Sequence, residues 1–209
     1  MNIIIRCDDS FYKFGLTALL AEIFQQEDEQ QTVIFADYHP DKIRAADILV
    51  AVLRPGEAYL CHPELLHCKA GLMIGIVEQR HVPARGELPD CLHQIVLMAH
   101  NATVDHLRNT IAHHWPLTRQ DKDEDVKRSC VSCSHKRVSD KQQHLIRLLL
   151  SGLTSRQIGS QMNIGQKTVL AHRHALMQKF RLRSDCELMQ FLVAKEEKYP
   201  HRGGEEGGR

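Results

Sequence analysis

The chain has 209 residues, with 27 Lys and Arg against 26 Asp and Glu and a formal net charge of +1. This length predicts one or two domains with a core of their own, and the balance excludes a uniformly basic surface. No apolar run reaches about 18 residues, and no basic segment precedes an apolar one at the start, so neither a membrane span nor a secretory signal is expected. We therefore expect a cytoplasmic protein with reduced cysteines and no membrane partner.

The charge is distributed unevenly along the chain. Residues 1–120 carry a net charge of −5, and residues 121–209 carry +6. Between positions 136 and 183 there are ten basic residues and a single acid, Asp140. This asymmetry predicts a polyanionic partner for the second half.

Apolar runs predict a parallel sheet in the first half. Strands are expected over 3–5, 32–36, 47–53, 72–77 and 94–98, and helices over 11–23 and 104–113. Near-continuous apolar strands separated by helices are typical of a doubly wound α/β domain with both faces of its sheet covered. The stretch 57–70 is left unassigned.

The second half has a different pattern. The charge run 121–125 has no apolar face, which is typical of a solvated linker. Beyond it the pattern is helical, and three capping boxes mark helix starts. These boxes are Ser139/Gln142, Thr154/Gln157 and Ser184/Glu187. A fourth helix is predicted over 166–180, with Val169, Leu176 and Phe180 on its buried face.

Residues 154–169 have helix-turn-helix form. A short helix packs through Ile158 and Met162, and a turn follows at 163–165 with Ile164 buried. The exposed face of the next helix carries Lys167, Thr168, His172, Arg173, His174 and Lys179. Such a helix fits a DNA major groove with its cations on phosphates. The alternative is a small helical bundle with an ordinary solvated basic face, which the turn and the scarcity of acids disfavour.

Residues 138–195 resemble the LuxR/FixJ-type DNA-binding domain of bacterial transcription regulators. The resemblance rests on Gly152–Gly159, Ile164–Val169, His172-Arg173, Lys179-Phe180 and Leu182–Ser184. It implies an all-α fold of four helices, in which the third reads the groove and the fourth often forms a dimer contact. Two positions depart from the family: Gly165 stands where Ser or Thr is usual, and Gln142-Gln143 where a Glu is usual.

The resemblance also implies which residues of the recognition helix contact the DNA backbone and which face the bases. Lys167, Thr168, His172 and Arg173 would hold the DNA backbone, and Lys179 belongs to the same cationic face. Leu170, Ala171 and His174 would face base edges. Since Leu170 and Ala171 donate no hydrogen bonds, direct readout would be modest and would depend on phosphates and on a partner.

The first half resembles, more weakly, the flavodoxin-like receiver domain of response regulators. Asp8-Asp9 matches the acidic loop that holds Mg²⁺ in receivers. The phosphoacceptor position falls at Val52, or at Ala51 with a shifted gap, and the receiver's Lys falls at His100. The resemblance thus implies a receiver-like domain without phosphotransfer, similar to auxiliary enterobacterial regulators, including regulators of fimbriae.

Cysteine and histidine residues near the linker raise the question of a metal. Cys130, Cys133 and His135 have ligand types suited to zinc. Cys61-His62 and His67-Cys68 could add ligands, but nothing in the sequence brings them close. Reduced thiols without metal are therefore the favoured interpretation.

The sequence predicts four segments: a receiver-like domain over 1–116 without a phosphoacceptor, a linker over 117–137, a LuxR-type helix-turn-helix domain over 138–198, and a disordered tail over 199–209. The predicted function is a phosphorylation-independent bacterial regulator of transcription. Its partners would be promoter DNA and a second copy of itself or another LuxR-type regulator. No catalytic arrangement and no cofactor are expected. Two alternatives stay open: an interaction protein that binds another regulator as antagonist or co-activator, and a metal or redox sensor that uses Cys130 and Cys133.

Overall fold

The computed structural model describes residues 1–27, 34–66, 68, 71–84, 86–118, 133 and 135–198. The chain divides into two compact units. The first comprises 1–53 and 61–135, and the second comprises 54–60 and 136–209. No helix in the described part of the chain is both long and apolar enough to cross a bilayer.

The first unit contains a five-stranded sheet. Its strands are β1 (Asn2–Arg6), β2 (Ile34–Ala36), β3 (Ile48–Val52), β4 (Leu72–Val77) and β5 (Ile95–Ala99). All neighbouring strands are parallel, in the order β2-β1-β3-β4-β5. This order is that of flavodoxin-like folds, so the predicted fold class is confirmed.

Two helices cover one face of this sheet. They are α1 (Ser10–Glu27) and α3 (Val104–Thr118). Alternate strand residues face opposite sides of a sheet, and on this side Ile3, Ile74 and their neighbours pack against the helices. The Phe24 ring of α1 meets the Trp115 ring of α3 edge-on, with centroids 5.8 Å apart. The hydrophobic core therefore packs α1, near the start of the chain, against α3, which follows the last strand.

The connections after β2, β3 and β4 contain short helical turns. Short 3-10 turns span Glu57–Tyr59, Pro63–Leu65, Gln79–His81 and Asp90–Leu92, and α2 (Pro40–Ile43) is a single turn. The stretch 57–70, which the sequence left unassigned, contains the first two. Pro63 begins one of these turns, at a position where its missing amide hydrogen leaves no helix hydrogen bond unmade.

The second unit is helical. Its helices are α4 (Asp140–Leu150), α5 (Ser155–Met162), α6 (Gln166–Lys179) and α7 (Asp185–Lys198). The capping boxes at Ser139 and Thr154 are confirmed, each with both reciprocal hydrogen bonds. The third is modified. Ser184 Oγ accepts from the Glu187 amide at 3.1 Å, but Glu187 Oε2 accepts from the Arg183 amide at 2.9 Å.

An aromatic cluster forms the larger core of this unit. The rings of Phe180 and Phe191 lie 4.2 Å apart. Tyr59, from the segment 54–60, is fully buried in the same cluster, and Lys136 Nζ lies 3.7 Å from the centre of its ring. The predicted buried face of α6 is confirmed, since Val169, Leu176 and Phe180 have no exposed area.

A central strand residue of the first unit tests its packing. Ile74 is fully buried, so Ile74→Ala should lower the free energy of unfolding by about 2–5 kcal/mol. The matched control Ile34→Ala, at a residue 52% exposed in β2, should change it by less than about 0.5 kcal/mol. Urea unfolding followed through Trp115 measures this unit, because Trp115 is the single tryptophan. Equal small losses in both variants would contradict the core assignment.

Candidate nucleic-acid interface

A tight turn joins α5 to α6. Asn163 ends α5 in the left-handed conformation, with φ 53°, and the Ile164 amide donates to the Gly159 carbonyl oxygen at 2.9 Å. A β-carbon at Gly159 would lie 2.8 Å from the backbone oxygen of Ile164. Only glycine therefore lets the turn pass this close to α5. Ile164 packs partly buried against a cluster that contains Ile158 and Val169, as predicted.

The exposed side of α6 carries a continuous stripe of side chains. The stripe consists of Lys167, Leu170, Ala171, His174 and Gln178, all exposed. Their spacing of three and four residues places them on one helix face. Leu170 is 46% exposed. The stripe brings together the three residues that were predicted to face base edges.

Gln178 was missed by the sequence reasoning. Its Nε2 lies 3.1 Å from His174 Nε2, one helical turn away. Gln178 continues the spacing of three and four residues that relates Lys167, Ala171 and His174, so the sequence pattern could have identified it. An amide is a groove-reading group as well as a positioning partner for the imidazole.

The remaining predicted DNA-binding residues flank the stripe. Thr168 is exposed in the first turn of α6, whereas His172 and Lys179 are half-buried. Arg173 is also half-buried and forms an ion pair with Asp185 in the first turn of α7. Arg173 therefore joins α6 to α7, and its phosphate contact stays a prediction.

The start of α6 opens into a cleft. Its lining includes Arg156, Asn163, Gly165 and Gln166. Gly165 occupies the N-cap position of α6 without a side-chain cap. The first amides of a helix have no acceptor within it and carry partial positive charge. Together with the Arg156 guanidinium, they suit an anion.

The residues predicted to correspond to a receiver site lie at the carboxyl edge of the sheet in the first unit. Asp8 and Asp9 follow β1, and Val52 is the last residue of β3. Asp9 Oδ1 accepts from the Tyr12 amide at 2.9 Å and so caps α1. The Tyr12 ring stacks on His100 at 4.3 Å, and burial raises the pKa of the Tyr12 hydroxyl. Because Val52 has no carboxylate, the predicted phosphoacceptor position cannot carry a phosphoryl group.

The candidate metal ligands lie in the first unit. Cys133 is buried, and its sulfur lies within 4.8 Å of ligand atoms of His135 and Cys61. Cys130 and His67 lie outside the described residues. Cys68 instead donates to the Ile43 carbonyl oxygen at 3.5 Å. The structure thus brings Cys61 close to Cys133 and His135, which the sequence could not show.

The comparisons with known proteins agree with this architecture. Residues 136–192 match the family of bacterial regulatory proteins of the luxR type, GerE. The chain is similar in fold to the response regulator RcsB in complex with DNA, at 21% identity and TM-score 0.51 over 93% of this chain and 98% of that one. RcsB from Salmonella enterica serovar Typhimurium bound to promoter P1flhDC gives 18% identity and TM-score 0.55, over 93% and 98% of the two chains. No curated protein sequence matches the chain significantly.

These matches identify both parts. The C-terminal residues 136–192 form a LuxR-family helix-turn-helix domain. The first unit has the receiver-like fold, since the solved structures align with nearly the whole chain. At these identities the likeness of the whole chain shows the fold alone.

The close approach at Gly159 gives a test of the turn. Gly159→Ala should lower the stability of the second unit, because overpacking of about 1–3 kcal/mol against backbone outweighs the gain of about 1 kcal/mol in helix propensity. Ser160→Ala, at an exposed neighbour in the same helix, gains propensity without this contact. Thermal unfolding monitored by circular dichroism compares the two variants. Stabilisation by Gly159→Ala would show that the turn has room for a side chain.

Proposed function

We propose that the protein is a bacterial transcription regulator that binds promoter DNA through the stripe on α6. The carrying observation is that Lys167, Leu170, Ala171, His174 and Gln178 lie exposed on one face of the second helix of a LuxR-family helix-turn-helix domain. A helix fits the major groove, and this one exposes a cation near its start and hydrogen-bonding groups further along. The net charge of +9 over 136–183 supplies the attraction to DNA.

The two kinds of residue in the stripe have different tasks. Lys167, in the first turn, is positioned to meet a phosphate beside the cleft at the start of α6. Leu170 and Ala171 offer only apolar contact, which suits thymine methyl groups. His174 and its neighbour Gln178 are the polar readers. Sequence readout is therefore concentrated in one pair of side chains.

A dimer is proposed because one recognition helix covers only a half-site. The helix α7 exposes Met189 and Val193, each 41% exposed and one turn apart. Its other side is buried in the core through Leu188 and Phe191. The exposed pair makes α7 the proposed contact with a second copy or with another LuxR-type regulator.

Phosphorylation independence is proposed for the first unit. Val52 ends β3, and the stacked pair Tyr12 and His100 lies near the start of α1. Asp9 retains a structural task as the cap of α1. The resemblance to auxiliary enterobacterial regulators implies that the target genes encode surface structures such as fimbriae. The identity of the genes that lie beside the coding sequence in the genome tests this target class.

A second candidate function is an interaction protein that binds another regulator as antagonist or co-activator. Phe11 is 92% exposed and Phe14 is 77% exposed, three residues apart on α1. Exposed aromatic side chains are enriched at the cores of protein interfaces. This observation favours a protein partner for the first unit and is compatible with DNA binding by the second.

Substitutions on α6 separate phosphate contact from base readout. Lys167→Ala should weaken binding to cognate and random DNA alike and reduce the slope of log affinity against log salt by about 0.9, the value for one phosphate contact on duplex DNA. His174→Ala should lose about 1–3 kcal/mol on the cognate site and less on random DNA.

Fluorescence anisotropy at several salt concentrations measures both effects. Gln161→Ala, at an exposed position of α5 outside the stripe, is the control. Unchanged binding of both stripe variants on both DNAs would contradict the groove-reading role. The interaction protein would then be the better-supported function.

Phosphodonors should have no effect on the protein. Because Val52 and Ala51 have no carboxylate, acetyl phosphate should leave the DNA affinity and the elution volume within experimental error. Intact mass spectrometry checks for a phosphoryl adduct, with a receiver protein that retains its Asp as the positive control. A stable adduct on the first unit would contradict phosphorylation independence.

A further inference from the structure

Three cysteines and one histidine converge in the first unit, far from the DNA-binding stripe in sequence. A sulfur of Cys61, a sulfur of Cys133 and a ring nitrogen of His135 all lie within 4.8 Å of one another. The sulfur of Cys91 lies 3.9 Å from that of Cys61. Three side chains of the types that bind zinc therefore surround one small volume, and the Cys91 sulfur lies beside one of them.

The distances resemble those of a tetrahedral site. Zinc–sulfur bonds of about 2.3 Å in tetrahedral geometry place two sulfurs about 3.8 Å apart. The Cys61–Cys91 separation of 3.9 Å matches this edge. The Cys61, Cys133 and His135 atoms need to contract by at most about 1 Å to reach the same geometry.

The surroundings are those of a closed structural site. Cys61, Cys91 and Cys133 are 3%, 1% and 5% exposed, so water has little access to their sulfurs. The backbone amide of His62 donates to the Cys91 sulfur at 3.0 Å, and that of Asp90 donates to the Cys133 sulfur at 3.3 Å. Such outer hydrogen bonds orient ligands and stabilise the negative charge of thiolates.

We propose that Cys61, Cys91, Cys133 and His135 bind one Zn²⁺ ion. Binding releases the three thiol protons to solvent and leaves the imidazole neutral, so the centre of three thiolates, one imidazole and Zn²⁺ has a net charge of −1. Four protein ligands fill the tetrahedron, which makes the role structural rather than catalytic. In this proposal, Cys61 and Cys91 take the place of Cys130 as the residues that bind zinc together with Cys133 and His135.

A disulfide between Cys61 and Cys91 is the competing arrangement. It requires the sulfurs to approach to about 2.05 Å. It would leave Cys133 and His135 out of the bond, although ligand atoms of both lie within 4.8 Å of the Cys61 sulfur. Zinc would use these three groups close to their present distances, with the Cys91 sulfur, 3.9 Å from that of Cys61, as the fourth ligand.

The test uses the full chain, purified in the presence of a thiol reductant. Elemental analysis should find one zinc per chain. X-ray absorption should show about three sulfurs near 2.3 Å and one nitrogen near 2.0–2.1 Å. Replacement by Co²⁺ should give the visible absorption of tetrahedral thiolate cobalt. These measurements need no variant and so do not depend on how a substitution folds.

Variants then identify the ligands. Cys91→Ser and Cys133→Ser should each lower zinc content at least fivefold in protein washed with a competing chelator. Cys68→Ser and Cys186→Ser, at described cysteines outside the cluster, should retain one zinc and are the matched controls. Metal-free wild-type protein with all seven thiols reactive would overturn the proposal. So would a mapped Cys61–Cys91 disulfide, or zinc that is lost in Cys130→Ser but kept in Cys91→Ser.

Discussion

The close contact between Gly159 and the backbone of Ile164 sets the geometry on which the proposed DNA-binding surface depends. The Ile164 amide donates back to the Gly159 carbonyl oxygen, while the Ile164 oxygen occupies the space that a β-carbon at 159 would need. The hydrogen bond and the close packing together fix the backbone of Ile164 against that of Gly159. The direction in which α6 leaves the turn follows from this contact, and with it the direction of the exposed stripe. Asn163 completes the turn, because it adopts the left-handed backbone that asparagine tolerates better than most residues.

The helix-turn-helix was predictable because its signals are local. Ser139 and Thr154 fix helix starts through partners three residues away, and the buried face of α6 follows from spacing alone. The task of Arg173 was not predictable in the same way. Its partner Asp185 lies 12 residues further along, beyond a turn, and ordinary helix spacing gives no sign of the pairing. The strands were likewise predictable from apolar runs, whereas the 3-10 turns after β3 and β4 were not.

The acidic loop of the first unit shows that a carboxylate can stabilise the fold itself. Asp9 accepts the amide of Tyr12 and begins α1, so this carboxylate stabilises the fold whether or not a metal or a phosphoryl group is bound. Val52 and Tyr12 pack, partly buried, against the core of the first unit, and the Tyr12 ring stacks on His100. On this argument an acid pair after the first strand is weak evidence for phosphotransfer, and the residue at the end of the third strand decides.

The cysteine cluster could not be predicted, because its members are brought together only by the fold. Cys61 and Cys91 are 30 residues apart, and the Asp90 amide reaches a sulfur 43 residues away. On the proposed ligand set, the ion would fix residues 133 and 135 to the first unit, immediately before the second unit begins at Lys136. The capping boxes and most of the aromatic core of the second unit come from residues 138–192, so loss of the ion would leave these elements in place. It would act instead on the stretch of chain that leads into the DNA-binding domain.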